Sequence, residues 1–176
     1  MVDQYLAEPM VEEAYQDLAK TILEHNPGVH LARVRAAFEV ADRAHGGQRR
    51  KQGTPYVTHC IAAAKICAEM GLDEDSVVAA LLHDCIEDTP MTHEDLAKAF
   101  GVPVADIVEG VTKLTRVQFT SREDEQMENL RKMLMAMAKD IRVILIKIAD
   151  RLHNMRTMEY MTRQKQLDKS LETMGA

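Results

Sequence analysis

The sequence predicts an all-α protein, on three observations. Apolar residues recur at helical spacing, as at Val34, Ala37, Phe38 and Ala41, which gathers them on one face of a helix. The apolar stock is Leu, Ile, Val, Ala and 12 Met, with no Trp and 4% aromatics. Such a mixture suits packed helices better than a sheet, where aromatic and β-branched side chains are enriched. Pro and Gly also punctuate the chain at intervals that close helices.

Taken in order, a first helix is expected from Val11 to His25, stopped by Asn26-Pro27-Gly28. A second runs from His30 to His45 and ends at Gly46-Gly47. The polar, basic stretch GGQRRKQGTPY that follows reads as an ordered loop. Helices resume over Thr58 to Met70, closed by Gly71, and over Asp73 to Glu87, with Asp73 or Asp75 as N-cap. Thr92, with Asp95 three residues on, starts a short helix to Phe100 through an imperfect capping box. Val102 to Leu114 is a further helix, and TRVQFTSRE after it reads as a surface loop. Two longer helices are expected over Glu123 to Lys139 and Asp140 to Thr157, with a last one from near Thr162. No repeat or low-complexity tract interrupts this.

At 176 residues the chain is expected to be one domain with a substantial core. A net charge of −6 argues against general nucleic-acid binding, which needs an excess of Lys and Arg. An anionic ligand must then be held by a local basic cluster or a metal. Cys60, Cys67 and Cys85 form no CxxC and cannot all pair, which favours a reducing compartment. The N-terminus has neither a basic start nor an apolar stretch, and no run reaches the ~18 apolar residues of a membrane span. The expected location is the cytoplasm, with no membrane partner.

Three segments carry chemistry. In HDCIED, residues 83–88, four ionisable side chains follow the apolar run VVAALL. At helical spacing His83 stacks with Glu87, and Asp84 with Asp88. Burying such groups is costly unless they are paired or bind a metal, although a helix end emerging into solvent would also look like this. His59 stands at the start of a helix beside Ile61 and Ala62 to Ala64; alone, it would more often be structural. In the apolar helix around IRVILIKIADRLHNMRT, Asp150, Asn154 and Thr157 fall at i, i+4 and i+7, one polar stripe. Together, His59, His83, Asp84 and Asp150 form a 2-His-2-carboxylate set suited to Mn²⁺, Fe²⁺, Co²⁺ or Zn²⁺. Such an ion polarises phosphoryl oxygens and lowers the pKa of a ligated water.

The adjacent His-Asp with a flanking His and a distant Asp resembles the HD superfamily of metal-dependent phosphohydrolases. More narrowly, HGGQRRKQGTPYVTH, AALLHDCIEDT, EGVTKL, ENLRKMLMAMAKDIRVILIKIADRLHNMRT and the closing ET resemble the hydrolase domain of RelA/SpoT-type alarmone enzymes. The resemblance runs from about Val34 to Thr173. It implies a multi-helix HD-domain bundle over 29–176, with an N-terminal helix, 1–28, packed on it. The implied reaction removes pyrophosphate from the 3′ position of guanosine tetra- or pentaphosphate, giving GDP or GTP. By motif, His59, His83, Asp84 and Asp150 would hold one Mn²⁺, and Glu87 and Asp88 would be the catalytic acid/base pair. Arg50 would stack on the guanine, Lys51 would approach the ligand, and Asn154 and Thr157 would contact the nucleoside. Lys113, Arg116, Arg122 and Arg131 are weaker candidates for phosphate contacts, with exposed surface charge as the competing reading for each. Synthetase-only relatives have eroded hydrolase residues; all six stand intact here.

Two departures matter. Cys60 replaces the Pro that usually follows the ligand His, which would soften the helix start while Cys60, like Cys85, acts as a small buried hydrophobe. The chain also stops where long family members continue into a nucleotide pyrophosphokinase domain, and none is expected here. Alternative readings are an HD nucleotidase acting on another nucleotide, or a nucleotide-sensing regulatory fragment of a longer bifunctional enzyme. The oligomeric state is not specified by the sequence.

Overall fold

The computed structural model describes residues 7–51, 53–115, 126–132, 135 and 140–174. The regular structure of these residues is all helical, with no strand beyond an isolated bridge between Arg49 and Pro55. The elements are α1 (Pro9–His25), α2 (Leu31–Ala44), α3 (Val57–Glu69), α4 (Glu74–Leu82), α5 (Cys85–Asp88), α6 (His93–Phe100), α7 (Val102–Thr115), a helical stretch over 126–132, and α8 (Ile141–Met174).

Each helix buries the face that its spacing dictates. In α1, Val11, Tyr15, Leu18 and Ile22 are buried, and in α2 the buried residues are Val34, Ala37, Phe38 and Ala41. Tyr15 meets Phe38 edge-on at 4.7 Å between ring centroids, the favoured geometry for aromatic quadrupoles. By contrast, α3 and α4 are buried on nearly all sides: every residue from Ser76 to Leu82 is inaccessible. That is the mark of central helices. The α3 helix lies against α1, α4 and α8, while α4 also packs on α2 and α7. The all-α expectation therefore holds.

Capping explains the boundaries. Asp73 accepts from the Ser76 backbone N–H at 3.2 Å, so Asp73 rather than Asp75 is the N-cap of α4. At α6 the Thr92–Asp95 box closes in both directions at 3.1 Å, Asp serving where the longer Glu is usual.

Two expectations need correction. The helix expected from Asp73 to Glu87 breaks at His83–Asp84 into α4 and α5. There His83 Nδ1 donates to the Ala80 carbonyl at 2.6 Å, and Asp84 turns to φ −97°, ψ −2°. A side chain competing for a carboxy-terminal carbonyl tightens the last turn and ends the helix. The helix expected to end at Thr157 and restart near Thr162 is instead continuous from Ile141 to Met174. Thr162 Oγ1 donates back to the Met158 carbonyl at 3.0 Å, so it sits inside the helix rather than capping one. The loop expected over TRVQFTSRE lies, apart from Thr115, outside the described residues, as does much of the helix expected before Lys139.

The segment between α2 and α3 is ordered, as expected. Arg50 N–H donates to the Thr54 carbonyl and Gly53 N–H to the Arg50 carbonyl, both at 2.8 Å. Gly53 has φ 88°, a left-handed turn that other residues adopt only at a cost. This turn presents Arg50 toward α8.

The start of α8 is tied down by Arg142, which donates to Asp73 at 2.7 Å and to Asp140 at 2.6 Å. Nearby α7 and α8 cross at Gly110, where a Cβ would lie 2.7 Å from Val143 Cγ2. Gly110→Ala is therefore expected to lower the melting temperature. Overpacking costs about 1–3 kcal/mol, against roughly 1 kcal/mol gained in helix propensity. The loss should shrink in a Val143→Ala background; equal losses in both backgrounds would contradict a close crossing.

Candidate metal centre

Three separate stretches of chain converge on one point. His59 comes from the first turn of α3, His83 and Asp84 from the break between α4 and α5, and Asp150 from α8. One ligand atom from each lies within 4.8 Å of all the others. His59 and His83 are 2% exposed and Asp150 is 7% exposed, so the meeting point is largely shielded from water. His59 Nε2 is 2.5 Å from Asp150 Oδ1; His83 Nε2 is 3.3 Å from the same oxygen and 3.0 Å from Asp84 Oδ2. Donors bound at about 2.1 Å around one ion lie ~3 Å apart; the two His83 separations match that, while His59 and Asp150 stand closer, at hydrogen-bond distance.

Several of the remaining lone pairs and protons are occupied. His83 Nδ1 donates to the Ala80 carbonyl, which leaves Nε2 as its ligand atom. Tyr56 O–H donates to Asp84 Oδ2 at 2.6 Å, and Lys147 donates to Asp150 Oδ2 at 3.1 Å. Hydrogen bonds of this kind orient ligands and fix tautomers.

The electrostatics point the same way. Burial opposes a charge on His83, yet Asp84 and Asp150 overcome it and push the imidazole up to about 10. Burial also opposes ionisation of Asp150, but His59 and His83 hold its carboxyl well below the usual range. Asp84, likewise desolvated, is held down to about 2, chiefly by His83. Desolvation lowers His59, with only partial compensation from Asp150. A dry pocket that forces a proton onto one imidazole has an excess of negative charge, which a dication would satisfy. Two imidazoles and two carboxylates are the donor set of a divalent transition ion, and the residues present fit one.

Glu87 and Asp88 lie on α5, one turn beyond His83 and Asp84, and both are exposed. The Asp88 carboxyl is raised by burial and by Asp84, against the pull of His45 and His83; it therefore feels the field of the cluster. Arg50 Nη2 donates to Asn154 Oδ1 at 2.8 Å, which puts both on one shelf beside the centre. Thr157 is turned inward on its own helix, donating to the His153 carbonyl at 2.9 Å. Lys51 is exposed.

The weaker candidates fare differently. Lys113 pairs with Glu109 at 3.1 Å. Together with Arg131 it lines a cavity between α7, the 126–132 stretch and the start of α8, which no residue of the His-Asp cluster lines. Arg116 and Arg122 lie outside the described residues. The three cysteines are buried and free; burial pushes Cys67 and Cys85 up to about 12, and Cys60 also rises, so none is a thiolate.

Sequence reasoning missed His153, His45 and Tyr56. His153 Nδ1 lies 2.7 Å from His59 Nδ1 and 3.1 Å from Arg50 Nη1. Burial, His59 and Arg50 together lower it to about 4. It stands three residues after Asp150, and i, i+3 neighbours share a helix face as i, i+4 neighbours do. His45 is buried against Tyr56, with its Nδ1 2.7 Å from Gln48 Oε1 and no partner on Nε2 among the described residues.

Residues 37–175 match the family described as HD domain. The bifunctional (p)ppGpp synthase/hydrolase SpoT of Escherichia coli (strain K12) is 49% identical over 160 residues, 91% of this chain and 23% of that relative. The guanosine-3′,5′-bis(diphosphate) 3′-pyrophosphohydrolase of Haemophilus influenzae is 52% identical over 77% of this chain and 20% of its own length. A GTP pyrophosphokinase of Streptomyces coelicolor is 52% identical over 82% of this chain and 17% of its own length. The chain thus spans less than a quarter of these curated relatives. A solved structure, described as a metazoan ortholog of SpoT that hydrolyzes ppGpp and plays a role in starvation responses, superposes with a TM-score of 0.57. It is 36% identical, over 73% of this chain and 71% of that one.

Metal addition supplies a direct test of the centre. Titrating Mn²⁺ into metal-stripped protein is expected to raise the melting temperature, by about 2.7 kcal/mol of stability at a hundredfold excess over Kd. Asp150→Ala and His83→Ala should abolish the gain. An unchanged gain in both variants would place the bound ion elsewhere.

Proposed function

Because this chain belongs to the HD domain family, we propose that it is a divalent-metal-dependent phosphohydrolase acting on guanosine tetra- or pentaphosphate. It removes the 3′ pyrophosphate and leaves GDP or GTP. The observation that carries this reading is the convergence of His59, His83, Asp84 and Asp150 on one point, with Glu87 and Asp88 one turn away. The names of two relatives, the SpoT synthase/hydrolase and the 3′-pyrophosphohydrolase, and of the metazoan structure support the substrate. The catalytic unit is assigned to residues 29–176, with α1 laid against it. The metal is assigned as Mn²⁺, and the site of action as the cytoplasm, where guanosine nucleotides are found.

His59, His83, Asp84 and Asp150 would hold a divalent ion, which when bound would supply polarisation of a phosphoryl oxygen and a water of lowered pKa. The chain's own residues do the rest. Asp88, whose proton affinity is raised by burial and by Asp84, takes a proton from the attacking water, while Glu87 orients that water. The water oxygen bonds to phosphorus as the bond from phosphorus to the 3′ oxygen breaks, and the proton taken by Asp88 is passed to that leaving oxygen. A general base needs hydrogen-bond reach to its proton, which side chains one turn beyond the ligands provide. Arg50, anchored edge-on by His153 and Asn154, keeps its planar faces available to stack on a guanine. Lys51 reaches toward the ligand, and Asn154 and Thr157 border the nucleoside.

Purified protein incubated with Mn²⁺ and guanosine tetraphosphate is expected to yield GDP and pyrophosphate. Glu87→Gln and Asp88→Asn should lower turnover by roughly 10²- to 10⁴-fold with metal affinity retained. Asp84→Ala should lose metal and turnover together. Release of single phosphates, or equal turnover of ordinary nucleotides, would overturn the alarmone reading in favour of another nucleotide. Nucleotide binding with no turnover would favour a sensing fragment.

A further inference from the structure

The part-buried contacts beyond the metal ligands form one chain from the nucleotide shelf to the centre. Arg50 donates through Nη2 to Asn154, and its Nη1 lies 3.1 Å from His153 Nδ1. A guanidinium can only donate, so His153 Nδ1 accepts. His59 Nδ1 lies 2.7 Å from that same nitrogen. Two lone pairs facing at this distance would repel, so His59 Nδ1 carries the proton and donates. A neutral imidazole protonated at Nδ1 has its lone pair on Nε2. In His59 that nitrogen faces Asp150 Oδ1 at 2.5 Å. That lone pair is the one His59 would offer to an ion held jointly with Asp150.

We infer that His153 is a positioning residue that couples Arg50 to the metal ligand His59. Through the direction of two hydrogen bonds, the docked guanidinium sets the tautomer of His153, and His153 sets that of His59. Neither Arg50 nor His153 touches the ion, yet both determine how well His59 binds it. The metal centre and the nucleotide shelf are thereby one hydrogen-bonded unit, and by linkage occupancy of either is felt at the other. The inference rests on the reading of His59 as a metal ligand and not on the identity of the substrate.

The test is the affinity of the nucleotide-free protein for Mn²⁺, read from the electron paramagnetic resonance of the free ion, with circular dichroism reporting folding. Loss of a hydrogen-bond partner behind a metal ligand costs 10- to 100-fold in affinity, and His153→Ala is expected to fall in that range. His153→Asn places an amide oxygen where Nδ1 stood and should recover most of the loss, a rescue that a packing role would not produce. Arg50→Ala should weaken binding in the same direction, with no further loss when added to His153→Ala. Unchanged affinity in folded His153→Ala, equal weakening by Asn and Ala, or additive effects of Arg50 and His153 would each overturn the coupling. A wild-type chain that holds no Mn²⁺ would remove the metal reading and this inference together.

Discussion

The energetically expensive act in this fold is the burial of Asp150 against two histidines. An ionised carboxylate taken out of water costs several kcal/mol unless partners replace its hydration. Here the groups that donate to it are His83 at 3.3 Å and Lys147 at 3.1 Å, with His59 Nε2 2.5 Å from the oxygen that His83 faces. The rest of the molecule can be understood as what is required to bring those partners to it. The α3 helix carries His59 inward because it is apolar on nearly every side, and α4 delivers His83 because all seven residues preceding it are buried.

Position along the helices matters as much as burial. Arg142 pins the first turn of α8 to the start of α4, and Gly110 lets α7 approach the same turn closely. With its beginning fixed in this way, α8 presents Asp150, His153, Asn154 and Thr157 on one side. The break after Leu82 then turns Asp84 toward the same point, where Tyr56 donates to the oxygen that also faces His83.

Much of this was legible in the amino-acid sequence. The buried faces of α1 and α2 follow directly from apolar spacing. Asp150 stood out because it interrupts an apolar run, and His83 and Asp84 because they follow one; His59 became a candidate only in their company. What escaped was set by tertiary contact or by ambiguous side chains. The break at His83 depends on a ring nitrogen competing for the Ala80 carbonyl, which periodicity does not register. Thr162 looks like a helix start because threonine caps and threonine inside a helix are the same residue. His153 was overlooked because the polar stripe was counted at i+4 and i+7 and not at i+3. Positive charge alone carried no direction: Arg50 turns toward the centre and Lys113 toward Glu109.

The continuity of α8 has a mechanical side. From Thr157 the helix runs on to Met174 without a Gly or Pro, about 25 Å of hydrogen-bonded rod at 1.5 Å per residue. Its near end carries a carboxylate and an imidazole whose usefulness depends on tenths of an ångström. A rod clamped at one end acts as a lever arm, so a sideways push on its far end becomes a small tilt at the clamp. Whatever load the distal turns bear, the residues that feel it first are those lining the pocket.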